Sequence, residues 1–259
     1  MNRPLASIDS HHWQNIRLIA TDMDGTLTQA EKFDAKLFSI LTKLFQARID
    51  VLITTGRSAG WVQAIATYFP LVGAMAENGG LLYWGHDPQP RLTSEINIEQ
   101  HRQQLSRVFE LLQGKFPQIR ESADNYFRIT DWTFDVENLS PNELEQIASI
   151  CHSEGYGFTY STIQCHIKPV YQDKAYGLER VISQYFADLK LEEVVTIGDS
   201  PNDESMFDRE KFPLSVGVAN VRKYSDRLEY LPAYVTSKFE GEGFTELAEL
   251  ILKESEKRS

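Results

Sequence analysis

The sequence has few cysteines and comparatively few basic residues. Its 259 residues include two cysteines, Cys151 and Cys165, and their spacing fits neither a zinc-binding pattern nor a disulfide framework. This cysteine usage favours a reducing, cytoplasmic environment. The 26 lysines and arginines are outnumbered by 37 aspartates and glutamates, which gives a formal net charge of −11, and no stretch is rich in Lys and Arg. Nucleic acids and anionic membrane surfaces are therefore not expected as partners.

Long uninterrupted apolar runs are also absent. Residues 58–76 carry no charge, but Pro70 and Gly73 interrupt them and polar residues are spread between, so a buried helix followed by a strand is predicted rather than a membrane span. The first 15 residues lack an apolar segment followed by a small-residue cleavage site. No secretory signal is therefore expected.

The sequence does contain a regular alternation of apolar runs and amphipathic stretches. Runs rich in Ile, Val and Leu end in small or polar residues at IRLIATD, DVLITTG, VGAMAEN, EVVTIGDS and PLSVGVAN. Apolar residues at helical spacing lie between most of them. This pattern predicts an α/β fold with a Rossmann-like, mostly parallel sheet, and it places the ligand site at the carboxyl ends of the strands.

The alternation stops between about residues 84 and 170. Helical spacing is found over residues 96–116 and about 141–154, and strand-like segments occur at YFRIT, WTFDV, GFTYST and IQCHIKP. We therefore expect residues 84–170 to form an inserted α+β unit. Residues 1–83 and 171–259 would together form the core into which it is inserted.

Two aspartates follow the first apolar run, in IRLIATDMDGTLTQ. If Asp22 and Asp24 are held together at a partly desolvated sheet edge, their charges repel unless one is protonated or a cation lies between them. Magnesium, a hard cation that prefers oxygen ligands, meets that need. A polar junction between a strand and a turn is the alternative explanation for this short motif.

Two weaker signals point to phosphate. In VLITTGRS, an apolar strand delivers Thr55 and Gly56 to the sheet edge, where a hydroxyl and exposed N–H groups bind phosphate or simply begin a helix. Lys174, in QDKAYGLERVI, lies in the first turn of an amphipathic helix, where it opposes the helix dipole. A bound phosphate or an acidic cluster would offset this, whereas a solvated surface lysine is the alternative.

A second acidic cluster follows a later strand, in VVTIGDSPNDESMF. Asp199, Asn202 and Asp203 lie in one tight turn there, and Ser200, Pro201 and Asp203 would also suit an ordinary helix N-terminus. That explanation leaves open why a second acidic cluster should end a second core strand. Because parallel strands bring their carboxyl ends together, we expect these carboxylates to converge with Asp22 and Asp24 on one cation.

Together these motifs resemble those of the haloacid dehalogenase (HAD) superfamily of aspartate-dependent phosphohydrolases. DMDGT at 22–26, TGR at 55–57, Lys174 and GDSPND at 198–203 match the four motifs of that superfamily in order. The inserted unit and AENGG at 76–80 resemble the Cof-type, subfamily IIB branch with its α/β cap, in particular its sugar-phosphate phosphatases.

The resemblance implies a role for each core residue. Asp22 would attack phosphorus and form an aspartyl-phosphate, while Asp24 would serve as general acid and base and Lys174 would support catalysis. The implied phosphate-binding residues are Thr55, Gly56, Lys174 and Asn202. The implied ligands of Mg²⁺ are Asp22, the backbone carbonyl of Asp24, Asp199 and, directly or through water, Asp203.

The inserted unit is expected to close over the core and to select a small phosphorylated metabolite. Its candidate substrate residues are Arg128, Asp131, His166 and Lys168. Polar residues that merely keep a sheet surface soluble are the alternative. Two other functions stay open: a phosphotransferase resembling the phosphomannomutases, and a sugar-phosphate-binding protein without catalysis.

Overall fold

The computed structural model describes residues 3–5, 11–161 and 163–258. Strands are numbered along the chain as β1 (Arg3–Pro4), β2 (Leu18–Thr21), β3 (Asp50–Thr54), β4 (Gly73–Ala76), β5 (Leu81–Trp84), β6 (Arg91–Leu92), β7 (Trp132–Asp135), β8 (Tyr156–Tyr160), β9 (Gln164–Pro169), β10 (Val194–Gly198), β11 (Leu214–Gly217) and β12 (Tyr234–Val235). The α-helices are α1 (His11–Gln14), α2 (Ala35–Gln46), α3 (Ala59–Tyr68), α4 (Ile98–Lys115), α5 (Pro141–Ser153), α6 (Lys174–Tyr185) and α7 (Glu240–Ser255).

The larger sheet has the strand order β1-β12-β11-β10-β2-β3-β4-β5-β6. The first seven strands in this order, from β1 through to β4, are parallel to one another. β5 is antiparallel to both of its neighbours, β4 and β6. The mostly parallel α/β core predicted from the sequence is therefore confirmed. The order places β10, β2 and β3 side by side, so the residues that follow these three strands meet at one sheet edge.

Helices cover both faces of this sheet because its central strands are apolar on both sides. Along β2, Ile19 packs in a cluster with residues of α2, α3 and α7, whereas Leu18 and Ala20 pack in a second cluster with residues of α6. All four residues of β2 are buried. The polar residues that follow these strands are therefore attached to a backbone fixed by packing from two sides.

The smaller sheet has the order β7-β9-β8 and is antiparallel throughout. Together with α4 and α5 it encloses a separate apolar cluster that includes Phe134, Ile147 and Ile167. We call residues 98–169 the cap unit and the rest of the chain the core unit. Within the described residues, no helix is long and apolar enough to cross a membrane.

Two details differ from the sequence-based expectation. β6 lies within residues 84–170, yet it pairs with β5 and so extends the larger sheet. The segment YFRIT is not a strand, because residues Ala123–Phe127 form a 3₁₀ turn. Asn125 takes the place of a strand partner there, since its side chain accepts from the N–H of Thr133 and donates to the carbonyl of Thr133.

Close packing of α6 against the core positions Lys174 and supplies a stability test. A Cβ added to Gly177 would lie 2.7 Å from Cα and 2.8 Å from O of Gly79. We expect Gly177→Ala to lower the free energy of unfolding by about 1–3 kcal/mol through this clash. Gly114, also helical, has no atom within 4 Å of the added Cβ.

The matched control Gly114→Ala should stabilise the protein by about 0.5–1 kcal/mol, because alanine loses less backbone entropy than glycine in a helix. Urea unfolding of both variants measures the difference. Equal effects at the two positions would contradict the close approach at Gly177.

Candidate active site

Asp22 lies directly after β2, and its position is set by both backbone and side chain. Its N–H donates to the carbonyl of Ile197 on the neighbouring strand at 2.8 Å. Its Oδ1 accepts a hydrogen bond of 2.6 Å from Nζ of Lys174. Its Oδ2 is buried and has no hydrogen-bond partner among the described residues. One carboxylate oxygen is thus held in place while the other is left for a ligand.

Lys174, at the start of α6, links the two acidic motifs. Its ammonium group is fully buried and also donates to Oδ1 of Asp203 at 2.5 Å. The other oxygen of Asp203 accepts the N–H groups of Asp199 and Ser200. Asp203 therefore closes the loop after β10 and also holds Lys174. Most of the hydrogen-bonding capacity of the Asp203 carboxylate is thus used within the protein.

A cation fits between Asp22 and Asp199. Like Oδ2 of Asp22, Oδ1 of Asp199 is buried without a hydrogen-bond partner in the described part of the chain. One carboxylate oxygen each from Asp22, Asp199 and Asp203 lies within 4.8 Å of the others. An all-oxygen donor set of this kind suits Mg²⁺ or a similar hard cation.

The pKa shifts of the buried carboxylates around Lys174 indicate that one lysine does not balance their negative charge. Burial, together with the nearby Asp203, raises the pKa of Asp22 to about 7, although Lys174 opposes the rise. Burial and the proximity of Asp22 also raise the pKa of Asp199 well above its ordinary value. Burial alone would lower the pKa of Lys174, but Asp203 and Asp22 raise it above its ordinary value. The lysine is thus charged, and the carboxylates gain from a further cation.

Asn220 orients Asp199 from the next loop. Its Nδ2 donates to Oδ2 of Asp199 at 2.7 Å and to the carbonyl of Gly25 at 3.0 Å, so Oδ1 of Asp199 is the oxygen left free. Gly25 has a positive φ of 80°, and a Cβ there would lie 2.6 Å from Oδ2 of Asp199. A glycine after Asp24 is therefore required for the two motifs to approach each other.

Asp24 is paired with Arg57, the arginine of the TGR motif, for which the sequence predicted no role of its own. Arg57 donates from Nε to one oxygen of Asp24 at 2.8 Å and from Nη2 to the other at 2.6 Å. The guanidinium carbon also lies 5.2 Å from the centre of the Trp61 ring. This two-pronged ion pair fixes the plane of the carboxylate beside Asp22. The only signal in the sequence was the position of Arg57 next to Thr55 and Gly56.

Three of the four implied phosphate-binding residues line one cavity with Asp22, and the fourth, Lys174, is buried behind Asp22. Thr55 and Gly56 follow β3, and both face the cavity together with Asp22 and Asn202. Asn202 is oriented by Ser200, whose hydroxyl donates to its Oδ1, and it donates to Oδ1 of Asn78 at 3.0 Å. The structure therefore brings every implied core residue of the four motifs to one sheet edge.

The cap unit contributes a buried network of charged and polar groups above Gly56. Arg128 donates to Asp124, Asp131, Gln164 and the carbonyl of Gly56. Its side chain is 0% exposed, so every direction of the guanidinium is engaged within the protein. Arg128, a predicted substrate residue, thus joins the cap unit to the core unit.

The other predicted cap residues divide into two groups. Asp131 is fully buried and accepts from Nδ1 of His166 at 2.8 Å, and His166 lines the cavity with Asp22. Lys168 does not line this cavity. Its ammonium group instead donates to the carbonyl of Gln172 near the end of the cap unit.

Glu77 makes a second connection between the two units. Its buried carboxylate accepts the N–H of Ala59 in the core unit and the N–H groups of Ile129 and Thr130 in the cap unit, with distances of 2.5–3.1 Å. The hydroxyl of Thr130 adds a further bond of 2.7 Å. From the sequence, AENGG at 76–80 was noted only as part of the resemblance to the Cof-type branch. An acidic residue in the otherwise apolar VGAMAEN was the available signal for a buried role.

The cavity enclosed by these residues is narrow. It has room for about one water molecule between the carboxylates of the core unit and the residues of the cap unit. A phosphate ester is larger than this. A substrate could reach this position only if the cap unit moved away from the core unit, whereas a wider cavity of about 410 Å³ that Asp24, Ile163 and Asp199 line adjoins it.

Several known proteins are similar to this chain in sequence or in fold. "Phosphoglycolate phosphatase" of Methanothrix thermoacetophila is 28% identical over 237 residues, which cover 90% of this chain and 95% of that protein. The solved structure of Thermoplasma acidophilum 0175 matches with a TM-score of 0.73 and 23% identity, covering 91% of this chain and 99% of that one. A "haloacid dehalogenase-like hydrolase" from B. subtilis matches with a TM-score of 0.66 and 17% identity over 90% of this chain and 99% of that one.

With this fold and this site, the findings support a phosphatase of the HAD superfamily of the Cof type, as the sequence predicted. The enzyme acts on a phosphorylated small molecule. Within that class, the chain belongs to the family described as "Sucrose-6F-phosphate phosphohydrolase", whose model matches residues 15–246.

The connection through Glu77 can be tested by a nearly isosteric change. Glu77→Gln replaces one acceptor oxygen by an NH₂ group that would face backbone N–H donors. We expect a loss of about 1–3 kcal/mol in the free energy of unfolding, because buried donors lose their partner. The control Glu249→Gln changes an exposed residue of α7 and should have little effect. Similar unfolding midpoints for the two variants in urea would contradict the assigned contacts.

Cation binding can be tested without measuring turnover. Addition of Mg²⁺ should raise the unfolding temperature, since a ligand at a hundred times its Kd stabilises the folded state by about 2.7 kcal/mol. Asp199→Asn should weaken this response, whereas Asp188→Asn, an exposed position after α6, should preserve it. An undiminished response in the Asp199→Asn protein would mean that the cation binds elsewhere.

Proposed function

We propose that this protein is a Mg²⁺-dependent phosphohydrolase that removes phosphate from a sugar phosphate through an aspartyl-phosphate on Asp22. The observation that carries the proposal is the asymmetry of the Asp22 carboxylate. Lys174 holds one oxygen, while the other is buried, lacks a hydrogen-bond partner among the described residues and belongs to a residue lining the cavity. A residue needed only for structure would gain by pairing both oxygens.

In the first step, Oδ2 of Asp22 attacks phosphorus in line with the ester oxygen, and Oδ1, which accepts from Lys174, would be the Asp22 oxygen that stays on a bound cation. The new bond joins that carboxylate oxygen to phosphorus, the ester bond breaks, and the leaving alkoxide takes a proton from Asp24. In the second step, Asp24 removes a proton from water, the water oxygen bonds to phosphorus, and the bond to Asp22 breaks. Inorganic phosphate is released and Asp22 is regenerated.

The remaining core residues stabilise charge and position in these steps. Mg²⁺ bound by Asp22, Asp199 and the carbonyl of Asp24 would neutralise the phosphoryl oxygens. Lys174, Thr55, Gly56 and Asn202 would bind the transferred group, so catalysis rests chiefly on positioning and electrostatics. Both oxygens of Asp24 accept from Arg57 in this closed arrangement, so this pair would have to open before Asp24 could carry and donate a proton.

The catalytic residues of the core unit would act on the phosphoryl group alone, so the proposed substrate class is based on the family and on the cap unit. The description of the matching family names a sugar phosphate, while the curated relatives are named for phosphoglycolate, a smaller ester that bears a carboxylate. We assign sugar phosphates to this chain because the cap side chains that line the cavity are neutral polar or apolar groups. Hydrolysis in the cytoplasm, as the cysteine usage suggests, forms part of the same proposal.

The proposal predicts phosphate release that requires both the metal and Asp22. The panel contains sugar phosphates, including sucrose-6F-phosphate, together with 2-phosphoglycolate and p-nitrophenyl phosphate. Asp22→Asn should lower kcat by about a thousandfold or more, because the amide is a poor nucleophile. Asp188→Asn is the matched control, and thermal unfolding verifies that both variants fold. An active Asp22→Asn enzyme would exclude Asp22 as nucleophile.

The same assay separates the other two functions. Isomerised sugar phosphate without free phosphate would indicate a phosphotransferase. Binding of sugar phosphates with neither product would indicate a binding protein.

A further inference from the structure

His166 lines the cavity, and only one of its two ring nitrogens has a hydrogen-bond partner among the described residues. Nδ1 is hydrogen-bonded to Asp131, and no hydrogen bond to Nε2 is found among residues 3–5, 11–161 and 163–258. The side chain is 1% exposed and lines the cavity with Asp22, Asp24 and Thr55. The ring lies on the backbone of Gly56, where an added Cβ would be 3.1 Å from Nε2.

The partner of Nδ1 decides what Nε2 can do. The carboxylate of Asp131 only accepts hydrogen bonds, so Nδ1 carries the proton. Burial lowers the pKa of His166, whereas the hydrogen bond and charge of Asp131 oppose that shift. Arg128 also lowers this pKa, and Asp124 raises it. In the neutral ring, Nε2 therefore offers a lone pair to the cavity and accepts a hydrogen bond.

The charges around His166 disfavour an anionic leaving group. The cations of the cap unit near Asp131 are Arg128, Arg102 and Lys168, and each of them already donates to groups within the protein. Arg57 is already paired with Asp24 through both oxygens. A carboxylate placed at Nε2 would therefore meet a lone pair and the charge of Asp131 behind it, with each of these cations already engaged, whereas a hydroxyl would donate to Nε2 without loss.

We propose that the Asp131–His166 pair recognises the leaving group, with Nε2 of His166 accepting a hydrogen bond from a hydroxyl of an uncharged, hydroxylated ester. This inference rests on the proposed function and narrows its substrate class. Asp131 acts as a positioning residue that fixes the ring of His166. Arg128 in turn positions Asp131, since it donates both to the Asp131 carboxylate and to the carbonyl of Gly56. The pair thus favours sugar phosphates over phosphorylated carboxylic acids.

Two substitutions of His166 separate recognition from structure. His166→Asn keeps a donor near Nδ1 for Asp131 but leaves no acceptor at the position of Nε2. His166→Gln places an amide oxygen near that position. Each variant is assayed with the best sugar phosphate of the panel, with 2-phosphoglycolate and with p-nitrophenyl phosphate, whose leaving group has no additional hydroxyl.

We expect His166→Asn to lower kcat/KM for the sugar phosphate by about 10–100-fold, which corresponds to the loss of one buried hydrogen bond. Turnover of p-nitrophenyl phosphate should change by less than about threefold, since that ester makes no such bond. His166→Gln should recover most of the activity towards the sugar phosphate. This combination would support the proposal.

Three outcomes would overturn the inference. Equal losses with all three esters would show that His166 has only a structural role. Wild-type preference for 2-phosphoglycolate, with a loss in His166→Asn confined to that ester, would show that the ring binds a carboxylate as a cation. Absence of phosphate release from every ester in the wild type would refute the proposed function itself, and the inference with it.

Discussion

The site depends on one buried ammonium group. Lys174 donates to Asp22 at the end of one strand and to Asp203 in the loop after another, so a single side chain joins two acidic motifs that are far apart in sequence. Three buried carboxylates around one lysine leave an excess of negative charge. That excess makes the cluster a receptor for a cation, and two of its carboxylate oxygens have no hydrogen-bond partner among the described residues.

The core unit and the cap unit are joined by polar contacts in addition to apolar ones. Ile129 of the cap unit packs against the apolar cluster of the core unit, and Phe127 lies against Gly60 of α3. Glu77 receives N–H groups from both units, and Arg128 of the cap unit donates to the carbonyl of Gly56. These polar contacts are directional, and they can be exchanged for water if the units separate.

The sequence predicted the core better than the contact between the units. Apolar runs that end in acidic or hydroxyl residues predict a parallel sheet with a ligand site at the carboxyl ends of its strands. This prediction was possible because the apolar runs and the polar residues are adjacent in the chain. The pairing of Arg57 with Asp24, and of Glu77 with Thr130, joins residues 33 and 53 positions apart. No local pattern encodes such partners. YFRIT illustrates the converse, since its strand-like composition yields to the hydrogen bonds that Asn125 makes with Thr133.

The narrow cavity has a consequence for how this protein could be improved. Any change that strengthens the seam between the units, for example by adding a contact over Gly56, also raises the free energy needed to admit a substrate. At the contact between the two units, a gain in thermal stability therefore lowers the turnover rate. In the apolar clusters on either side of this contact, stability can be changed without affecting turnover. Stabilising substitutions belong in those clusters, away from the ring of His166 and the guanidinium of Arg128.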